Sequence, residues 1–151
     1  NHLASVRLTG RLSRIQTEDF ALVLDVAHNV ESVSQLVQFL TDHPVSGKTA
    51  AVFGVMGDKP IHDMLALCES AFDEWHLIDL CHVSRAMSTD RLTEFLKPMG
   101  APIHQGAFAD LWQSLMTRVT TGDRVVVFGS FFSVGEATPY LAAHYHDGEQ
   151  N

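Results

Sequence analysis

Short apolar runs without polar alternation constrain the fold of this chain more than any other sequence feature. The runs cover residues 22–24, 50–53, 77–78 and 125–128, and a weaker one covers residues 102–104. A strand with one face in water alternates polar and apolar residues, whereas a strand covered on both faces is apolar throughout. These runs therefore predict a mainly parallel sheet with helices on both of its faces.

The segments between the runs carry apolar residues at helical spacing, three or four positions apart. These stripes cover residues 30–40, 61–72, 92–99 and 108–119. Asn29 and Ser88 stand where N-caps are expected, Pro60 suits a first helical position, and Gly100 suits a helix end. A last helix-like segment contains Pro139, so we expect that helix to begin late or to kink there.

Strand and helix alternate four or five times, which is typical of a Rossmann-like, doubly wound α/β domain. The front of the chain differs, because residues 6–8 alternate and residues 17–19 resemble a turn. We expect an N-terminal edge hairpin that leads into the first buried strand. Residues 1–151 are predicted to form a single domain.

Composition excludes several classes of protein. Hydrophobic residues make up 46%, too many for a disordered chain, and no apolar run approaches the ~20 residues of a membrane helix. The net charge of −8 argues against non-specific nucleic-acid binding. Cys68 and Cys81 indicate reduced thiols and a cytoplasmic location. The chain opens on Asn1 without a methionine or signal peptide, so we expect a piece of a longer protein.

Polar residues follow the predicted strands, at the edge of an open α/β sheet where ligands bind. Asp25 suits a ribose hydroxyl, a phosphate or a metal-bound water, but Asp25 and Asn29 equally suit helix caps. Lys59 has the charge to bind a carboxylate or a phosphate, and the alternative is a solvated surface lysine. Ser130 suits a carboxylate, or else a plain N-cap.

Several common motifs are absent. A P-loop requires G-x-x-x-x-G-K-[ST], but Asp58 separates Gly57 from Lys59 and Pro60 follows. No G-x-G-x-x-G follows the first strand, and Ser130 lies outside a G-x-S-x-G. Seven histidines show no metal-ligand spacing, and we interpret them as surface or strand-packing residues: His2, His43, His62, His76, His104, His144 and His146. No metal site is predicted.

One segment is more specific than these patterns. Residues 24–29, Leu-Asp-Val-Ala-His-Asn, resemble the Asp-x-Ala-His-Asn motif of the folylpolyglutamate synthase/dihydrofolate synthase family, within the Mur ligase superfamily. Residues 8–11 resemble its Pro-Gly-Arg segment, with Thr9 in place of proline. Residues 52–59 resemble its Phe-Gly-x-x-x-Asp-Lys loop, and residues 128–136 its Gly-Ser-x-x-x-Val-Gly-Glu segment. The resemblance runs in order from about Leu8 to Leu141.

The resemblance implies the C-terminal domain of an ATP-dependent amide ligase. Such enzymes join L-glutamate to dihydropteroate or to folates through an acyl phosphate, using ATP and Mg²⁺. The P-loop domain would be a separate, preceding domain and the partner of this one. The resemblance also implies a monomer that is inactive, and without a cofactor of its own, when this domain is isolated.

The resemblance assigns roles to individual residues. Arg11 matches an arginine that reaches the ATP phosphates, and Asp25 an aspartate that contacts the nucleotide through ribose hydroxyls. His28 matches a catalytic position beside the incoming glutamate, where it binds the carboxylate or orients the amine. Lys59 and Ser130 match positions that hold the glutamate carboxylate.

Arg85 lies where the family often has Pro-Arg, but Ser84 precedes it here, so its role stays open. Two other classes of function also stay open. The first is a free-standing, Rossmann-like module that binds a nucleotide or an amino acid without catalysis. The second is a histidine-rich metallohydrolase.

Overall fold

A six-stranded sheet organises the chain. The computed structural model describes residues 13–16 and 20–145. The strands are β1 (Ser13–Gln16), β2 (Phe20–Asp25), β3 (Thr49–Phe53), β4 (Glu74–Ile78), β5 (Ile103–Gly106) and β6 (Asp123–Phe128). Their spatial order is β1-β2-β6-β3-β4-β5, and all neighbours are parallel except β1 and β2, which are antiparallel. The mainly parallel sheet with an antiparallel N-terminal edge strand is confirmed.

Helices cover both faces of this sheet. They are α1 (Val30–Asp42), α2 (Ile61–Ala66), α3 (Thr89–Leu96), α4 (Phe108–Met116) and α5 (Phe131–Tyr145), and a 3₁₀ turn, Lys97–Met99, follows α3. One apolar core includes Leu36 of α1, Met64 of α2 and Leu92 of α3. The other includes Trp112 of α4 and Val134 of α5. This arrangement confirms the doubly wound α/β class.

The central strand explains why the apolar runs do not alternate. Val125 and Val127 of β6 face the core beneath α4 and α5, whereas Val126 and Phe128 face the core beneath α1 to α3. All four side chains are 0% exposed. Each apolar side chain therefore removes its surface from water whichever face it occupies.

Two details of the helices differ from prediction. Helix α2 ends at Ala66, well before Phe72, and Pro60 is its N-cap residue and not its first helical residue. Helix α5 contains Pro139 but begins at Phe131, so the expected late start was wrong. Proline leaves the carbonyl four residues earlier without an amide partner, and that residue, Gly135, is exposed to water.

Other predictions are confirmed. Asn29 and Ser88 are the N-caps of α1 and α3, and Gly100 ends the 3₁₀ turn with a φ of 81°. Cys68 and Cys81 are both free thiols. The predicted alternation at residues 6–8 and the turn at residues 17–19 lie outside the described residues. No helix within the described ranges is long and apolar enough to cross a membrane.

Candidate functional site

Three loops meet at the carboxyl edge of the sheet because β6 lies between β2 and β3. Phe128, the last residue of β6, pairs with Asp25 of β2 on one side and with Phe53 of β3 on the other. The residues at the ends of these three strands and just after them are therefore neighbours. They include Asp25, His28 and Ser130 among the residues predicted from the sequence.

Asp25 begins a short turn that fixes its own carboxylate. The side chain is 9% exposed, and the amide of Ala27 donates to its Oδ1 over 3.0 Å. Helix α1 is capped instead by Asn29, whose side-chain oxygen accepts from the amide of Ser32 over 2.8 Å. The capping interpretation is thus correct for Asn29, while Asp25 holds the turn before the helix.

His28 is oriented by the same turn. Its Nδ1 lies 2.9 Å from the carbonyl oxygen of Val26, and its backbone amide donates to Ser32 Oγ. A carbonyl oxygen only accepts, so Nδ1 carries the hydrogen of this bond. In the neutral ring Nε2 then carries the lone pair, which makes it a proton acceptor.

The glycine loop after β3 is held against the loop after β4. The amide of Gly57 donates to the carbonyl of Arg85 over 2.7 Å, and the amide of Met87 donates to the carbonyl of Val55 over 2.8 Å. Lys59, at the end of this loop, is half-buried. Arg85 is exposed and contributes its backbone to the loop pair, a contact that its side-chain type does not predict.

Two glycines lie in close contact with their neighbours where β3 and β6 end. Gly129 has a φ of +114°, and a Cβ there would overlap the carbonyl oxygen of Gly54. A Cβ on Gly54 would lie 2.9 Å from Leu80 Cδ1 and 3.0 Å from Ser133 Oγ. Residue 129 therefore requires glycine, whereas a side chain at Gly54 would press on Leu80 and Ser133.

Ser130 caps α5 and belongs to a chain of buried hydroxyls. Its Oγ accepts from the amide of Ser133 over 3.0 Å, and the two Oγ atoms are also 3.0 Å apart. Ser133 donates to the carbonyl of Gly54 over 2.6 Å. Because that bond uses the only hydroxyl hydrogen of Ser133, the hydrogen between the two side chains comes from Ser130.

Sequence reasoning did not single out Ser133, although it is 0% exposed and joins α5 to the end of β3. A second contact of α5 joins Glu136 to His82, whose Oε2 and Nε2 atoms are 3.1 Å apart. This pair links α5 to the loop after β4. Arg11, the predicted phosphate contact, lies outside the described residues.

The carboxyl edge offers no metal cluster within the described part of the chain. Within residues 13–16 and 20–145, the only group of three or more potential metal ligands is formed by Glu74, His76 and His104. Glu74 is the first residue of β4, so this group begins at the amino end of that strand. The sequence predicted the packing of His76 in a strand but not its pairing with His104.

Comparison with known proteins identifies the family. Residues 10–131 match the family model of the Mur ligase glutamate ligase domain. The chain belongs to this family. The match spans the predicted motif around Asp25 and His28, the glycine loop before Lys59 and the start of the segment that contains Ser130. The family resemblance predicted from the sequence is thereby confirmed.

Individual relatives agree with the family match. The chain is 30% identical, over 97% of its length, to dihydrofolate synthase/folylpolyglutamate synthase from Escherichia coli strain K12, and it covers 34% of that protein. It is 28% identical, over 89% of its length, to the protein of the same name from Buchnera aphidicola subsp. Schizaphis graminum, of which it covers 31%. The chain therefore spans about a third of the length of the curated relatives that it matches.

Solved structures show the same fold. FolC from Escherichia coli, in complex with ADP, superposes with a TM-score of 0.81 at 28% identity, over 95% of this chain and 34% of that one. A bifunctional folylpolyglutamate synthase/dihydrofolate synthase with Mn, AMPPNP and L-glutamate bound gives a TM-score of 0.76 at 32% identity. That match covers 93% of this chain and 32% of the other.

Proposed function

We propose that this chain is the C-terminal domain of an ATP-dependent ligase that adds L-glutamate to dihydropteroate, to folate polyglutamates or to both. The match of residues 10–131 to the glutamate ligase domain carries the proposal. Related solved structures contain ADP and DHPP in one case and L-glutamate in another. Coverage of about a third of each relative supports a separate P-loop domain as its partner. We expect the enzyme to be a cytoplasmic monomer.

The proposed reaction proceeds in two steps. The terminal phosphoryl group of ATP passes to the carboxylate of the pterin or folate substrate, which forms an acyl phosphate and releases ADP. The glutamate amine then attacks the acyl carbon, a C–N bond forms, and the C–O bond to the departing phosphate breaks. Phosphoryl transfer of this kind depends mainly on positioning and on charge neutralisation, which residues from two domains together can supply.

Arg11 and Asp25 would contact the nucleotide. A guanidinium offers fixed, paired N–H donors and a permanent positive charge, which suit the oxygens of the transferred phosphoryl group. The Asp25 carboxylate fits a ribose hydroxyl because it only accepts hydrogen bonds and is held in one orientation by the Ala27 amide. We propose that Arg11 supports the transition state and that Asp25 positions the nucleotide.

His28 would act on the glutamate amine. With Nδ1 donating to Val26, Nε2 of the neutral ring accepts a hydrogen bond from that amine or takes a proton from its ammonium form. Binding a carboxylate through Nε2 would require the charged ring. We assign the amine role to His28 as a proposal, since the Nδ1 contact is compatible with both forms of the ring.

Lys59 and Ser130 would hold the glutamate carboxylate. Lys59 supplies a positive charge next to the glycine loop that the Arg85 carbonyl fixes. Ser130 already donates its hydroxyl hydrogen to Ser133, so it would have to rotate to reach a carboxylate. We expect Lys59 to contribute more to glutamate binding than Ser130 does.

Magnesium would be bound by the partner domain. At the carboxyl edge the described residues include no group of three metal-ligating side chains, so the residues present do not fit a metal site here. We therefore assign no step of this domain to the ion. The isolated domain is likewise expected to bind no cofactor at this edge.

The first test is turnover. This chain should release no phosphate from ATP with dihydropteroate and glutamate, whereas a protein that also includes the P-loop domain should release it. Turnover by the chain alone would refute the need for a partner domain. Calorimetry tests the alternative, a free-standing module that binds without catalysis. That alternative predicts tight nucleotide or glutamate binding by the chain alone and no turnover in the longer protein.

The second test uses the two-domain enzyme. Arg11→Ala should lower kcat/KM by an amount equivalent to about 2–4 kcal/mol of transition-state stabilisation. This is the scale for one group that neutralises charge in the transition state. His28→Gln should lower kcat while the KM for ATP stays unchanged, and His62→Ala on α2 is the matched control. An unchanged kcat/KM in Arg11→Ala would remove Arg11 from the proposed site.

A further inference from the structure

Three potential metal ligands converge on one face of the sheet, beside α4. His76 of β4 pairs in register with His104 of β5, and Glu74 lies two residues before His76, so all three share a face. Glu74 Oε1 is 3.2 Å from His76 Nε2. The two imidazole rings stack with centroids 4.8 Å apart and planes 15° apart. One ligand atom from each residue lies within 4.8 Å of the other two.

His76 is the buried member of this group. The residue is 1% exposed, and its Nε2 lies 3.2 Å from Glu74 Oε1, so Nε2 is the nitrogen that faces the proposed ion. Its Nδ1 has no hydrogen-bond partner among the residues that the structure describes, and an ion on Nε2 would leave it so.

We propose that Glu74, His76 and His104 form a site for a divalent transition-metal ion of the zinc class. Two histidines and one carboxylate are a donor set that zinc accepts, with ligand distances of about 2.1 Å. Two ligand atoms 3.2 Å apart then subtend about 100° at the ion, close to a tetrahedral angle. The exposed side of His104 leaves room for water as a fourth ligand.

A shift of one side chain completes the site. Ligand atoms on a tetrahedral ion of this kind lie about 3.4 Å apart, so a ligand atom that is 4.8 Å away must move by about 1.4 Å. His104 is exposed on the edge strand β5 and can make this shift. Arg118 donates to Glu74 Oε1 over 3.1 Å, leaving that oxygen a further lone pair. The guanidinium thus orients a ligating carboxylate, as outer partners in metal sites do.

The ion would bind away from the proposed catalytic edge. It would join β4 to the edge strand β5 and thereby stabilise the folded chain by mass action. It would take no part in joining glutamate to the pterin or folate substrate. The site is therefore independent of the proposed function, and either can fail without the other.

The experiment titrates the 151-residue chain with Zn²⁺ in competition with a chromogenic chelator, and with Co²⁺ as a spectroscopic probe. One equivalent of tightly bound Zn²⁺ and the visible bands of four- or five-coordinate Co²⁺ are expected. Glu74→Gln and His104→Ala should each weaken Zn²⁺ binding at least about tenfold, because a direct ligand matters no less than an outer partner. Both residues lie at the margin of the core, so the variants should still fold.

Matched controls separate this site from other histidines. His62→Ala removes an exposed histidine that also stands beside a carboxylate, Asp63, and should leave Zn²⁺ affinity unchanged. The double variant His144→Ala/His146→Ala tests the histidine pair near the end of the chain and should also bind normally. The proposal is overturned if the chain binds no Zn²⁺, or if His104→Ala binds as tightly as the unsubstituted chain.

Discussion

Ser133→Ala tests whether the buried hydroxyl chain holds the carboxyl edge together. Ser133 Oγ makes two buried hydrogen bonds, one to the Gly54 carbonyl over 2.6 Å and one from Ser130 Oγ over 3.0 Å. The cap of α5 survives the substitution, because the amide of Ser133 still donates to Ser130 Oγ. The variant therefore removes the tie between α5 and β3 and leaves the helix start intact.

The magnitude follows from these two bonds. Each contributes about 0.5–1.5 kcal/mol net, and the Gly54 carbonyl and the Ser130 hydroxyl lose a bond in an interior closed to water. We expect the free energy of unfolding to fall by about 2–3 kcal/mol. For a domain of this size, the Tm should fall by about 5–10 °C.

Urea unfolding followed by tryptophan fluorescence measures the effect, because Trp75 and Trp112 are both 1% exposed. The slope of free energy against urea should stay unchanged, since the surface exposed on unfolding is the same. Ser114→Ala, the same chemical change at an exposed position of α4, should stay within about 0.5 kcal/mol of the unsubstituted chain. A loss in Ser133→Ala no larger than that control would refute the reasoning.

Two further predictions concern titratable groups. Burial raises the pKa of Asp123, but hydrogen bonds from the Lys48 amide and from the amide and hydroxyl of Thr120 outweigh it and hold the pKa below its usual 3.8. The ionised carboxylate of Asp123 should stabilise the fold above about pH 4, and this stabilisation should be lost as pH falls through the folded pKa. The difference in free energy of unfolding between the unsubstituted chain and Asp123→Asn, measured by urea unfolding, should therefore narrow between pH 7 and pH 3. Burial raises the pKa of Cys68 to about 12. A thiol reagent at pH 8 should therefore modify only the exposed Cys81 until urea unfolds the chain. Two reactive thiols in the folded chain would contradict the buried position of Cys68.

Strands and helices were predictable because their signals are local. The apolar run of β6 predicts a strand covered on both faces, and Val125 and Val126 indeed face different cores. The order of strands was not predictable, because nothing in a local pattern places β6 between β2 and β3. That placement brings the loops of Asp25 and Ser130 together at one edge.

The candidate site was predictable only where a motif named its residues. Ser133 gave no signal because its partner, the Gly54 carbonyl, is a backbone group far away in the sequence. The group of Glu74, His76 and His104 gave none because it depends on the register of β4 with β5. The alternation of Glu74 and His76 with apolar neighbours was the one available hint that they share a face.

The Phe-Gly pair occurs twice at this edge, and the structure explains it by packing. Phe53 and Phe128 have ring centroids 4.8 Å apart in one core. Gly129 permits the close approach of the two strand ends, while Gly54 leaves room for Leu80 and Ser133. Any side chain on Gly129 would overlap the Gly54 carbonyl. These glycines therefore build the edge and leave no side chain for a ligand. Binding and catalysis then fall to the polar side chains of the adjoining loops, which is why the proposed roles belong to Asp25, His28 and Lys59.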